Sequence, residues 1–324
     1  MYLKLPEILR NKLEKIYTLH EWEILKKWYS LERRKVALRV NTLQSTNEEI
    51  EQFFGEKNIS FQKIPFLTNG YVLMRDSEKI LWEQSIFTQW KIYLQWITSQ
   101  LIGELLKNEL QNHLIKVLDL TAAPGWKTSH ISALLQNNWE IVANELSMVR
   151  MEKLKFTLAR QGCKNVITLK WDAKDLKNQY QNWYFDIIIA DLPCSAEGRI
   201  NLHNEKSYAF LEKPNIHEKN YQIQKDILKE TVSLLKSWWT LMYSTCTCDP
   251  RENEWIVHFL LSNYKDLYME NIHDIFQNTS LWKYIRPWLK SFWKYIYSNE
   301  TPKSIRIIPN EETEWFFIAK FKKM

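Results

Sequence analysis

Two cysteines, four carboxylates and one tight loop carry the reactive groups of this 324-residue chain. Residues 117–130, VLDLTAAPGWKTSH, end an apolar run at Asp119 and turn through Thr121, Ala122, Ala123, Pro124 and Gly125 into Trp126 and Lys127. The pattern reads as a strand, a tight loop and a helix start. Such a junction sets backbone N–H groups and a helix N-terminus at the carboxyl end of a parallel strand, where open α/β sheets bind nucleotide-like ligands. One residue alone separates Gly125 from Lys127, so the GxxxxGK[ST] spacing of a triphosphate cradle is missing. Later strands end in acids at the same edge: Glu145 after IVAN, Asp172 after LKW and Asp191 after FDIIIA. That row suits a nucleoside cofactor, with Glu145 accepting from ribose hydroxyls and Asp172 from an adenine amino group. Cys194 in ADLPCSAEG and Cys246 in MYSTCTCDPRENE each fall just past a buried strand. A thiolate there is a nucleophile if its surroundings lower its pKa. Cys163 and Cys248 read as inert core thiols. The four cysteines form no CxxC pair, so neither a disulfide framework nor a metal site is expected.

The elements that position these groups alternate. The order is strand 116–120, helix 127–136, strand 140–144, helix 147–161, strand 165–170, strand 185–190, helix 216–237, strand 240–244 and helix 252–262. Alternation of this kind means a parallel sheet with helices on both faces, an α/β fold. SIRIIP and EWFFIAKF read as a final antiparallel hairpin. Before the sheet, residues 6–28 carry apolar side chains at helical spacing, VALRVNTLQ reads as a strand, and Thr46 to Glu49 form a capping box ahead of NEEIEQFF. ISFQKI, GYVLM and the short KIYLQ add strands. The division expected is a small α+β unit at 1–79, with Arg39 and Asn41 as solvated or RNA-contacting strand residues, and a catalytic unit at 80–324.

Composition bounds the partners. A net charge of +6 fits a polyanion such as RNA without requiring one. No apolar run of about 18 residues and no signal-peptide pattern appear, so a cytosolic protein without a membrane partner is expected. The chain holds 16 Trp and 6 Gly, whereas average usage of about 7% would give roughly 23 glycines. Trp126, Trp139 and the Trp238-Trp239 pair sit where turns want glycine. Many of these tryptophans therefore read as UGA codons that the source organism decodes as glycine. Kept as an indole, Trp126 would obstruct the cofactor loop and carry backbone strain of about 1–3 kcal/mol.

LDLTAAPGWKT, DLPCSAEGRI and YSTCTCDPRENE together resemble the Nop/Sun (RsmB-like) RNA cytosine-5 methyltransferases, from about residue 36 to the C-terminus. The resemblance implies a Rossmann-like class I methyltransferase domain behind a small α+β N-terminal domain that binds ribosomal or transfer RNA. It implies S-adenosylmethionine as cofactor, held by Thr121, Ala122, Ala123, Pro124, Gly125, Trp126, Lys127, Glu145, Arg150, Asp172 and Asp191. It gives Cys246 the role of nucleophile at cytosine C6 and Cys194 that of assisting product release. Asp191 holds the base edge, and Lys127 favours the thiolate. A monomer without a metal is expected. The chain departs from the family at Trp90, Trp126, Trp171, Trp238, Trp239 and Trp315, where glycine is common. Pro193-Cys194 also resembles the nucleophile of DNA cytosine-5 methyltransferases, but the second cysteine in STC argues against that. DLPC differs from the Asn/Asp-Pro-Pro-aromatic motif of amino-group methyltransferases. A non-catalytic RNA-binding assembly factor is the reading from a different class.

Overall fold

Apolar periodicity resolves into two sheets in the computed structural model, which describes residues 5–74, 77–111, 114–213, 215–287, 291–292 and 295–324. The stretch at 6–28 forms two helices rather than one, α1 (Glu7–Ile16) and α2 (Leu19–Tyr29). Thr18 breaks them apart by capping α2: its side chain accepts from the Glu21 N–H while Glu21 accepts from the Thr18 N–H, at 2.8 Å. Leu9, Leu13, Leu25 and Trp28 are buried against Ile200, Leu202, Leu211 and Trp315 of the catalytic unit.

The small sheet takes the order β2-β3-β1-β4, all antiparallel, from β1 (Ala37–Val40), β2 (Phe61–Lys63), β3 (Gly70–Leu73) and β4 (Ile92–Leu94). The expected boundary at 79/80 falls between two strands of this one sheet. Helix α3 (Asn47–Glu56) covers it with Ile50 and Phe54, and α4 (Ser77–Trp82) and α5 (Ser85–Thr88) lead into β4. Arg39 and Asn41 face neither solvent nor an open RNA surface. Both are buried; Arg39 donates to Gln95 at 2.9 Å and to Ser129 at 3.4 Å, and burial pulls it down to about 10. Asn41 donates to the carbonyls of Trp90 and Gln161 at 3.0 and 2.9 Å. These are latches between the two sheets.

After α6 (Ile97–Leu106) the large sheet begins: β5 (Lys116–Asp119), α7 (Trp126–Leu134), β6 (Glu140–Asn144), α8 (Met148–Gln161), β7 (Val166–Leu169), β8 (Phe185–Asp191), α9 (Ile216–Thr231), β9 (Leu235–Thr245) and α10 (Glu254–Asn263). Strands β9-β8-β5-β6-β7 lie parallel in that order. The chain winds outward from β5 through β7 and then crosses back to β8, so the order reverses between β5 and β8, the place where such sheets hold ligands. Antiparallel strands complete the other edge: β10 (Leu267–Met269), β11 (Ile285–Pro287), β12 (Ile305–Ile307) and β13 (Phe316–Lys323). β13 pairs with β9, β10 and β12, so the expected hairpin is present with β13 inside the sheet. A Rossmann-like α/β fold with a small α+β unit is thus what the sequence forms.

Helix α9 is shorter than the 216–237 expected, because Val232–Leu234 form a 3-10 turn and Leu235 opens β9. Trp238 and Trp239 lie within β9, in a bulge where pairing jumps from Phe185–Leu235 to Ile187–Thr240. Trp238 has a φ of 71° and Trp139, in the turn before β6, a φ of 62°.

Glu314, at the entry to β13, is buried and accepts a 3.0 Å hydrogen bond from Thr98. Burial pushes its carboxyl from 4.5 up to about 7. The folded state therefore holds this proton more tightly than the unfolded chain does. The stability it contributes is complete below the unfolded value and is lost as pH rises through about 7, a change on the order of 3 kcal/mol. Between about pH 5 and pH 7.5 the urea midpoint of the wild type should fall more than that of Glu314→Gln; parallel curves would disprove the assignment.

Candidate functional site

The loop after β5 is shaped by residues that only certain types can occupy. Gly125 has a φ of 103°, and a Cβ there would lie 3.1 Å from Leu154 and 3.3 Å from Thr157, so glycine is needed for the turn and for closeness to α8. The loop is pinned by the Ala122 N–H on Asn144 O and the Gly125 N–H on Ala122 O, both 2.8 Å. Trp126 is the first residue of α7 and Gly125 carries the left-handed turn, so the backbone strain expected at 126 is not there. The indole does form part of the cavity wall, with the Arg199 guanidinium 5.6 Å from its ring and Trp96 at 6.3 Å.

A cavity of about 310 Å³ opens at the carboxyl ends of β5 and β8, walled by Asp119, Thr121, Ala122, Ala123, Pro124, Trp126, Lys127, Arg150, Asp191, Cys194, Arg199 and Cys246 among others. A larger one, about 390 Å³, lies between α2 and the loops at 280–284 and 310–313. It contains no thiol, so the smaller cavity holds the reactive groups.

Asp191 ends β8 with its carboxylate fixed on both sides. Oδ2 pairs with Lys127 Nζ at 2.6 Å and Oδ1 accepts from Ser244 at 3.1 Å. Thr121 donates to the Asp191 carbonyl at 2.7 Å, which ties the cofactor-type loop to the strand bearing the acid. Asp119 is buried and accepts from Thr128 at 2.7 Å; burial raises it to about 6.

Cys194 and Cys246 lie with their sulfurs 3.5 Å apart. They are not equivalent. The hydrogen bond from Cys194, helped by the Arg199 guanidinium and the Lys127 ammonium, holds the Cys246 thiol below its usual value against the effect of burial. The same bond, burial and the carboxylates of Glu252 and Asp191 push Cys194 well above its own. Cys246 is accordingly the more acidic thiol of the pair and Cys194 the one that holds its proton more tightly. The loops are joined behind the sulfurs: the Gly198 N–H donates to Cys246 O at 2.9 Å, and a Cβ at 198 would meet that same oxygen and the Trp315 carbonyl at 2.9 Å. Burial pushes the thiols of Cys163 and Cys248 up, in keeping with inert roles.

The remaining expected positions divide. Arg150 reaches the loop by donating to Ala123 O at 2.7 Å and lies 3.3 Å from Glu145 Oε2. Glu145 is buried; Oε1 accepts from the Ser147 N–H, and Oε2 accepts no hydrogen bond. Neither Glu145 nor Asp172 is on the cavity wall; Asp172 caps a 3-10 turn through the Lys174 N–H at 3.1 Å and pairs with the Lys174 ammonium. Arg199, Ser244 and Ser99, which lies 3.3 Å from Lys127 Nζ, received no role from sequence reasoning. Arg199 and Ser244 lie inside the EGRI and YSTC stretches, so the signal was adjacency to the cysteines. Among the described residues one set could ligate a metal, Glu197, His217 and Asp249, and the Lys12 ammonium sits among them, 2.5 Å from Glu197 and 2.9 Å from Asp249.

Residues 105–322 match the family described as 16S rRNA methyltransferase RsmB/F. Ribosomal RNA small subunit methyltransferase F of Shewanella piezotolerans is 30% identical over 299 residues, covering 91% of this chain and 59% of that protein. Its counterpart in Aliivibrio fischeri is 28% identical over 299 residues, covering 89% and 57%. The chain thus spans less than two thirds of the length of these relatives. Among solved structures, a methyltransferase homolog protein from Pyrococcus horikoshii superposes with a TM-score of 0.77 at 25% identity, covering 99% of this chain and all of that one. NSun6 from Pyrococcus horikoshii with SFG gives 0.75 at 20% identity, covering 100% and 99%. Among the described residues no helix is long and apolar enough to cross a membrane.

The thiol asymmetry has a direct readout. Iodoacetamide should alkylate Cys246 at lower pH than Cys194 or Cys163, and Arg199→Met should move the Cys246 midpoint upward. Peptide mapping of alkylated protein across pH measures both; earlier labelling of Cys194 would invert the assignment.

Proposed function

The chain belongs to the 16S rRNA methyltransferase RsmB/F family, and from that premise we propose that it transfers a methyl group from S-adenosylmethionine to C5 of a cytosine in RNA, through a covalent bond between Cys246 and C6. The observation that carries this reading is the pair of sulfurs 3.5 Å apart in one cavity, with Cys246 the more acidic of the two. The names of the relatives support small-subunit ribosomal RNA over transfer RNA as substrate.

The cavity suits the cofactor. Glu145 Oε2 is buried and accepts no hydrogen bond, with only the Arg150 guanidinium beside it at 3.3 Å, so it can take a ribose hydroxyl, and the 121–127 loop presents backbone at a helix start. Asp172 caps a turn instead, so the amino-group contact expected of it has less support than the ribose contact of Glu145. When bound, S-adenosylmethionine supplies an electrophilic methyl group on a sulfonium sulfur.

Carbon 5 of cytosine is a weak nucleophile. The Cys246 thiolate adds at C6, and the displaced π electrons make C5 electron-rich enough to take the methyl group. Asp191, held by Lys127 at 2.6 Å, accepts from the exocyclic amine and holds the base edge in place while the addition puts negative charge on the ring. The C5 proton then leaves towards solvent; Cys194, within hydrogen-bond distance of the nucleophile, relays it by passing on its own proton as it accepts this one. Its electrons re-form the C5–C6 double bond and expel Cys246 as thiolate. The base must leave its stack to reach these groups.

Nucleophilic attack by Cys194, the DNA-methyltransferase pattern, is disfavoured because its neighbours raise its pKa. With labelled S-adenosylmethionine, wild type should label RNA and not DNA. Cys246→Ala should lower the rate by more than about a thousandfold. Cys194→Ala should accumulate a protein–RNA adduct stable in denaturing gels. Full turnover by Cys246→Ala would overturn the reading.

A further inference from the structure

Behind the two cysteines lies a buried ionic cluster that the transfer chemistry does not touch. Ser195, next to Cys194, gives its N–H and hydroxyl to Glu252 at 2.9 and 2.6 Å. Thr247, next to Cys246, gives its hydroxyl to Glu197, and the two hydroxyls are 2.8 Å apart. The ammonium facing these acids comes from neither loop. Lys12, on α1, touches Glu197 and Asp249 and lies 2.9 Å from His217 Nε2. An ammonium only donates, so Nε2 accepts; Nδ1 then carries the proton and donates to Glu252 at 2.9 Å. One lysine therefore reaches the Cys246 loop through Glu197 and the Cys194 loop through His217 and Glu252.

We propose that Lys12 is a positioning residue that sets the separation of Cys194 and Cys246, so that seating α1 assembles the thiol pair. Leu9, Leu13 and Tyr17 hold α1 against Ile200 and Trp315 independently of that ammonium. The activity arm of the test rests on the methyltransferase reading; the thiol arm does not. Diamide takes two electrons and two protons from the pair and joins the sulfurs as a disulfide, at a rate that reports their separation. Lys12→Met should close it at least about tenfold more slowly and lose on the order of a hundredfold in kcat with little change in KM for S-adenosylmethionine, while Lys12→Arg should keep most of both. A folded Lys12→Met that closes the disulfide at the wild-type rate would overturn the proposal. Should Lys12→Met fail to fold, Glu252→Gln takes the same comparison and the same criterion. Slow closure in a protein whose wild type methylates no RNA would sink the functional reading and keep this one.

The backbone carries a second inference. Eleven non-glycine residues have positive φ among the described residues, and four are tryptophans: Trp90 at 59°, Trp139 at 62°, Trp183 at 58° and Trp238 at 71°. Four more are asparagines, whose short side chain tolerates this region; a bulky side chain does not. Trp183 and Trp238 expose 62% and 71% of their surface, so burial does not offset the conformation. Trp28, by contrast, is buried with the Arg34 guanidinium 3.7 Å from its ring. We infer that the polypeptide made in its own cells carries glycine at 90, 139, 183 and 238, each from a UGA codon decoded as glycine. Trp126, Trp171, Trp239 and Trp315 have no positive φ and stand outside this inference. Reading the gene should give UGA at those four positions and UGG at 28, and peptide masses of the native protein should show glycine at the four. UGG at the four positions would overturn it. Replacing the four by glycine in recombinant protein should raise the thermal midpoint by several degrees, and an unchanged or lower midpoint would count against it.

Discussion

Two neighbouring parallel strands that end level with each other are the constraint on which the site depends. β8 and β9 pair with Asp191 opposite Ser244, and adjacent strands run about 4.8 Å apart. Cys194 comes three residues after Asp191 and Cys246 two after Ser244. Loops that short start thiols 52 positions apart in sequence from neighbouring strand ends, and the sulfurs lie 3.5 Å apart. Register brings the two loops side by side but leaves the thiols alike. Cations on the Cys246 side and carboxylates on the Cys194 side lower the pKa of one and raise that of the other.

The large sheet was legible because its inner parallel strands β5, β6 and β8 are buried on both faces and read as continuous apolar runs closed by a polar residue. The loop after β5 was legible because Pro124 and Gly125 punctuate it. What escaped was set by partners distant in sequence. The break at Tyr17–Thr18 hides inside unbroken apolar periodicity and shows only as Thr18 and Glu21 three residues apart. The end of α9 was misplaced because an apolar run such as 232–235 suits a helix or a strand, and only pairing with β8 decides. Asp172 and Glu145 each turn one oxygen back onto the N–H two residues on; they differ in that the second oxygen of Asp172 meets the exposed Lys174 ammonium, whereas that of Glu145 is buried beside Arg150.

Polar residues on strands were the least readable. Arg39 and Asn41 fit a solvated face by pattern, and instead their donors end on Gln95, Ser129, Trp90 O and Gln161 O. A buried guanidinium without a carboxylate partner is costly unless its donors are used, so these bonds fix the small sheet's orientation on α7 and α8. Whatever surface the small unit offers to a polyanion is therefore held rigidly relative to the thiol cavity.

The meeting of Lys12 with Glu197 and Asp249 also imposes a schedule on biosynthesis. The first acid follows the lysine by 185 positions, which a ribosome adding about 5–20 residues per second needs roughly 10–40 s to cover. Through that interval the apolar stripe of α1 has only Leu25, Trp28 and Tyr29 of α2 to rest on, and Ile200 and Trp315 reach it last.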